Sequence, residues 1–140
     1  MKIALAIDGS PCSLRATQFV IELIAGQDGS VVHLINVQPP VRYADLFPVK
    51  KRPLVNRWYL DGGEGETAAA LEMLAEGKVP CEVHLVIGDP ATAIVKLVRK
   101  LNCDLIVMGT RGMGAVAGLV LGSVANKVVH LARTPVTLVK

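Results

Sequence analysis

Gly109, Gly112, Gly122 and Ser123 stand in the pattern G-x2-G-x9-G-S inside the stretch "VMGTRGMGAVAGLVLGSVANKVV" (107–129). That stretch holds five of the chain's thirteen glycines, with Gly114 and Gly118 between the others. A glycine in regular structure costs about 0.5–1 kcal/mol of chain entropy, so so dense a cluster implies that backbone N–H groups are presented to something. A phosphate is the first candidate. On this reading Gly109 ends a strand without a side chain and lets a ligand approach the backbone. Gly112 supplies a positive φ that turns successive N–H groups together. Gly122 and Ser123 add free amides, a hydroxyl and the positive end of a helix at the same point. Arg111 and Lys127 are possible further charges, and Asp8 is the carboxylate that the first apolar run ends on.

Two better-known phosphate motifs are excluded. The string 112–117 matches a dinucleotide fingerprint only in its first two glycines and small residues, it follows the fourth apolar run, and no acidic ribose partner stands some twenty residues later. No G-x-x-x-x-G-K-[ST] occurs either.

The elements that must position these residues alternate in type. "KIALAID" (2–8) reads as a buried strand. A helix follows, capped by Ser10, opened by Pro11 and ended by Gly26. "SVVHLINVQPP" (30–40) is a second strand. A long irregular stretch then leads to a helix in "EGETAAALEMLAEGK" (64–78), and "PCEVHLVIGDP" (80–90) is a third strand. A helix capped by Asp89 with Pro90 in its first turn precedes a fourth strand, "CDLIVMG" (103–109). A last helix (122–133) and a short strand, "TPVTLVK" (134–140), close the chain. This alternation predicts an open, doubly wound α/β parallel sheet of five strands with helices on both faces. In such sheets ligands sit beyond the carboxyl ends of the strands, where the order reverses. With order 3-2-1-4-5 that point lies between strands one and four, so Asp8 and the Gly109 loop would face each other.

Composition fits this class. The chain of 140 residues is expected to form one domain, 1–140. Its residues are 51% apolar but only 4% aromatic, which predicts an aliphatic core. No apolar run approaches a membrane span, and "MKIALAIDGS" turns polar too early for a signal peptide. Cys12, Cys81 and Cys103 are odd in number with no CxxC pair, so they read as reduced cytosolic thiols. The net charge of +3 resides in residues 38–62, where five basic residues meet Asp45 and Asp61. So local a bias does not call for a nucleic-acid partner.

The pattern opened by "IVMGTRG" and closed by "LGSV" closely resembles the ATP-binding class of universal stress proteins. The resemblance runs the whole chain, through "KIALAIDGS", "HLINVQ", "GDPATAIVK" and "RTPVTLVK". It implies that Asp8 lies near the ribose and that Val37 meets adenine through its backbone, between apolar walls from Ala6 and Met108. It implies also that Gly109, Thr110, Arg111, Gly112, Gly122, Ser123 and Val124 hold the ribose and phosphates. Relatives bind ATP or AMP with a divalent ion, here magnesium, and dimerise through the last strand, here 135–139. The implied role is a cytoplasmic regulator of stress adaptation that changes its partner binding with nucleotide state.

Other readings stand beside these. Asp8 could cap the first helix together with Ser10. Ser123 can be an N-cap and a phosphate ligand at once. His33, His84 and His130 fall on separate predicted elements without metal-ligand spacing, so each reads as a packing residue and no metal site is expected. The segment 42–59 interleaves Tyr43, Phe47, Trp58 and Tyr59 with basic residues, as a lid or partner surface would. "AVAGLVLG" (115–122) could be the underside of the phosphate loop or part of a partner surface. Two other classes of function remain open: a slow, metal-assisted ATP hydrolase, and a nucleotide-free dimeric scaffold. Asp8 is the only carboxylate near the expected phosphates and the sugar needs it, so hydrolysis would be slow.

Overall fold

The computed structural model describes residues 1–40, 52–112 and 121–140, and of residues 52–60 the backbone alone. The expected lid segment, 42–59, and most of "AVAGLVLG" lie outside the residues whose side chains are described.

Five parallel strands form one sheet in the order β3-β2-β1-β4-β5, as the sequence predicts. They are β1 (Lys2–Ala6), β2 (Val31–Gln38), β3 (Cys81–Ile87), β4 (Leu105–Gly109) and β5 (Val136–Val139). Four helices connect them: α1 (Pro11–Ile24), α2 (Arg52–Glu76), α3 (Pro90–Leu101) and α4 (Ser123–Leu131).

The central strands are apolar at nearly every position because both faces are covered. Ile3, Leu5, Val32, Leu34 and Val107 point to the side of α1 and α2, where they meet Val20 and Leu74. Ala4, Ala6, Ile35, Ile106 and Met108 point to the side of α3 and α4, where they meet Ile94, Val98 and Val128. Each fully buried Leu or Ile contributes about 1.5–3 kcal/mol relative to exposure.

Local signals set the helix ends. Ser10 accepts the Ser13 amide at the start of α1, with Pro11 in the first turn. Gly26, just past the end of α1, has φ of +75°, the left-handed conformation that glycine adopts without strain. Asp89 accepts the Thr92 amide at the start of α3.

One expectation needs correction. The irregular stretch before residue 64 is helical from Arg52, twelve residues earlier than the sequence suggested. Asp61, Gly62, Gly63 and Gly65 look like breakers, yet Pro53 fits a first turn and packing decides the rest. Gly63 lies against the sheet so closely that a Cβ there would stand 2.7 Å from Asn36 Oδ1 and 3.4 Å from a Leu85 methyl. Glycine is therefore the condition for α2 to approach β2. A Cβ on Gly62 or Gly65 meets nothing within 4 Å.

The two kinds of glycine should respond oppositely in urea denaturation. Gly63→Ala is expected to lose about 1–3 kcal/mol by overpacking, whereas Gly65→Ala gains up to about 1 kcal/mol from helix propensity.

Candidate functional site

The strand β1 stops at Ala6, which pairs with Ile35 on one side and Met108 on the other. Its neighbour β2 runs on to Gln38. Beyond the end of β1 opens a cleft of about 460 Å³, a size ordinary for a small-molecule site. All eleven residues anticipated from the sequence line it: Ala6 and Met108 from the strand ends, Asp8, Val37, the run Gly109–Thr110–Arg111–Gly112, and Gly122, Ser123 and Val124.

The wall formed by residues 109–112 has a different physical basis from the one expected. Gly109 lacks a side chain because α1 passes there. A Cβ would stand 2.8 Å from Cys12 Cβ and 3.1 Å from the Ser13 amide nitrogen. Gly112 does not adopt a positive φ. It is glycine because a Cβ would run into the Asp8 carboxylate. Asp8 also accepts the Ser10 amide at 3.1 Å, so it closes the turn into α1 while its other oxygen faces Gly112. The helix-entry role and a place in the cleft are thus compatible.

Across from Asp8 lies the start of α4. Its N-cap, Gly122, makes no side-chain cap, and its first turn has no acidic residue. The Gly122 amide is bonded to Thr110 O at 2.7 Å, which ties the two halves of the glycine pattern together. The first intrahelical bond runs from Asn126 N to Gly122 O, so Ser123, Val124 and Ala125 begin the helix with amides that the helix itself does not use. All three residues line the cleft. Thr110, whose amide is held by Val139 O at 2.8 Å, carries a buried hydroxyl without a partner among the described residues.

The opposite wall is β2. The last rung between β1 and β2 runs from Ile7 N to Ile35 O at 2.9 Å, and the Ile7 carbonyl accepts the Asn36 side chain. Alternation along a parallel strand gives Val37 the same side as Ile35, so its N–H and C=O point past the end of β1. Sequence reasoning missed Gln38 and Glu66, which also line the cleft. Glu66 accepts from Asn36 Nδ2 at 2.7 Å and from Gln38 Nε2 at 2.9 Å, which locks α2 to β2. The amides in "INVQ" are a signal in the sequence, but their carboxylate partner is not.

Lys127, offered as a phosphate charge, is committed elsewhere. Its Nζ lies 3.0 Å from both oxygens of Asp89. Burial pushes the Cys81 and Cys103 thiols above their ordinary range, in keeping with unreactive cysteines.

Comparison with known proteins adds to this geometry. The universal stress protein family model matches residues 1–140. A universal stress protein of Thermus aquaticus is 38% identical over 139 residues, covering 99% of this chain and 97% of its own length. Among solved structures, the hypothetical protein MJ0577 superposes with a TM-score of 0.85 at 22% identity, over 99% of this chain and 94% of that one. The universal stress protein from Archaeoglobus fulgidus in complex with dAMP gives 0.73 at 22% identity, over 100% and 98%. At those identities the structures establish the fold.

The pairing of Asp89 with Lys127 sets a pH dependence. Asp89 is lowered from 3.8 to about 2 by the Thr92 hydroxyl first, then by Lys127 and the Thr92 amide. A carboxylate with a depressed pKa contributes stability that is present above its ordinary value and lost as pH falls through the depressed one. Carboxyl NMR titration should find Asp89 near 2, and both Thr92→Ala and Lys127→Ala should raise it toward 3.8. Acid unfolding of either variant should begin at a higher pH than in wild type.

Proposed function

Because this chain belongs to the universal stress protein family, we propose that its cleft binds an adenine nucleotide, ATP by preference, and that the bound nucleotide regulates association with a protein partner. The observation that carries this reading is the joining of the two halves of the glycine pattern by the bond from Gly122 N to Thr110 O, beside the uncapped start of α4. Phosphate oxygens would lie against the amides of Ser123, Val124 and Ala125, where the helix dipole favours negative charge. The buried Thr110 hydroxyl would gain a partner there. Adenine would lie between Ala6, Met108 and β2, its edge read by the Val37 backbone, with the ribose toward Asp8. The dAMP held by the Archaeoglobus fulgidus relative is of this chemical class.

Magnesium would accompany the triphosphate and offset its charge. Asp8 is the cleft carboxylate that faces the glycine wall. The homodimer implied by the family would use β5, which is an edge of the sheet and is half-buried along its length. We place the protein in the cytoplasm, as its free cysteines suggest. Among the described residues no helix is long and apolar enough to cross a membrane.

Ser123→Asp separates binding from folding. An acidic residue in the first turn of α4 complements the dipole by about 0.3–1 kcal/mol, so thermal stability should be unchanged or higher. The same charge would repel a phosphate. Calorimetric titration with ATP and magnesium should show binding by wild type and at least a tenfold loss in Ser123→Asp. Equal binding by both would overturn the placement of the phosphates, and no binding by nucleotide-free wild type would overturn the function.

A further inference from the structure

His33 and His84, read from the sequence as separate packing residues, meet on the face of the sheet that α3 covers. The register of β2 and β3 puts His33 opposite Glu82 and Ile35 opposite His84. Glu82 and His84, two apart on β3, therefore project on the same face as His33. His33 Nδ1 lies 3.2 Å from His84 Nε2 and 3.4 Å from Glu82 Oε2, and the remaining pair, His84 Nε2 to Glu82 Oε2, is 4.0 Å apart.

These separations match the donor atoms of a metal site. Zinc bonds of about 2.0–2.2 Å in tetrahedral geometry place ligand atoms roughly 3.3–3.6 Å apart. Two of the three distances are already within about 0.1 Å of that range. The third closes by rotation of Glu82, whose side chain is 64% exposed. His33 is buried, His84 half-buried, and Glu82 open to water, so a fourth position would be left for solvent. Two imidazoles and one carboxylate suit zinc and its neighbours in the transition series, not magnesium or calcium.

We propose that His33, Glu82 and His84 form a binding site for a zinc-class divalent cation on the β2–β3 edge of the sheet, separate from the cleft. His33 lies four residues back along β2 from Val37, about 13 Å at the rise of a strand. Nothing in the nucleotide reading is needed for it. The two strands hold His33 and His84 together before a metal arrives, so the side-chain ordering left to oppose binding is mainly that of Glu82. The contact between the rings carries a proton on one of them, and on ligation that proton moves to the far nitrogen of its ring. For His33 the far nitrogen is Nε2, buried and without a partner among the described residues.

His84 is held below its ordinary value, by burial first and then by the His33 ring. Lys100, exposed on α3, bears on the same ring with the opposing sign to Glu82. The Glu82 carboxylate offsets that charge at the metal. Cys81 belongs to the opposite face, where it packs with the α1 and α2 core.

The test is calorimetric titration of the chelator-stripped full chain with zinc chloride, with cobalt(II) absorption reporting coordination geometry. Wild type should bind one zinc per chain and give a tetrahedral cobalt spectrum. His84→Ala and Glu82→Gln should each weaken zinc at least tenfold, and Cys81→Ser should leave it unchanged. Zinc should also raise the melting temperature of wild type but not of His84→Ala. Glu82 is exposed, so Glu82→Gln decides the matter if His84→Ala fails to fold. The absence of zinc binding would overturn the site. So would zinc affinity that survives Glu82→Gln, or that disappears in Cys81→Ser.

Discussion

The early end of β1 is the constraint on which the site depends. β1 is the middle strand of five, and its partners on the two sides connect in opposite directions along the sheet. Chain leaving β1 turns at Asp8 and Gly9 into α1, which packs on one face. Chain leaving β4 turns at Thr110 and returns through α4 on the other. The two connections diverge, and the space between them cannot be filled by either. The cleft follows from topology, as expected where the strand order of an α/β sheet reverses. Its chemistry follows from what each strand places at its tip.

That crowding also explains the glycines. A cluster of glycines invites an explanation from backbone flexibility, yet neither Gly109 nor Gly112 has a positive φ. Both are small because something else occupies the space: α1 at Gly109 and the Asp8 carboxylate at Gly112. Gly63 follows the same rule, with Asn36 in the place a Cβ would take. Among the described glycines, positive φ occurs at Gly9, Gly26 and Gly29, all in turns outside the G-x2-G pattern. The pattern thus records close packing around a cavity wall, and packing of that kind fixes amide positions more firmly than a flexible loop would.

Much of this was legible in the sequence because the signals are local. Ser10 with Pro11, and Asp89 with Pro90, mark helix starts whatever the fold. The apolar runs at 2–8, 30–40 and 103–109 mark strands buried on both faces, and alternation with helices fixes the class. What escaped was set by partners distant in the chain. The first half of α2 was read as irregular because Gly63 carries meaning only against Asn36. Glu66 is an unremarkable helix residue until the amides of Asn36 and Gln38 meet it, 30 and 28 residues away. His33 and His84 are 51 residues apart, and only a parallel register decides whether two such residues face each other or lie on opposite sides.

The same register bears on whether events at the cleft could reach the histidine pair. His33, Ile35 and Val37 share one face of β2, so a single strand spans the distance. β2 is paired along its length, to β1 from Val31 to Ile35 and to β3 from Val32 to Gln38. A slip of one residue would reverse every side chain and expose Leu34 and Val32, which are fully buried. Small displacements are no easier, because the Asn36 side chain bonds both the Ile7 carbonyl and Glu66. A strand so held has no second arrangement for two ligands to compete over, and coupling between sites requires one. The cleft and the β2–β3 edge are therefore two independent surfaces on one rigid sheet.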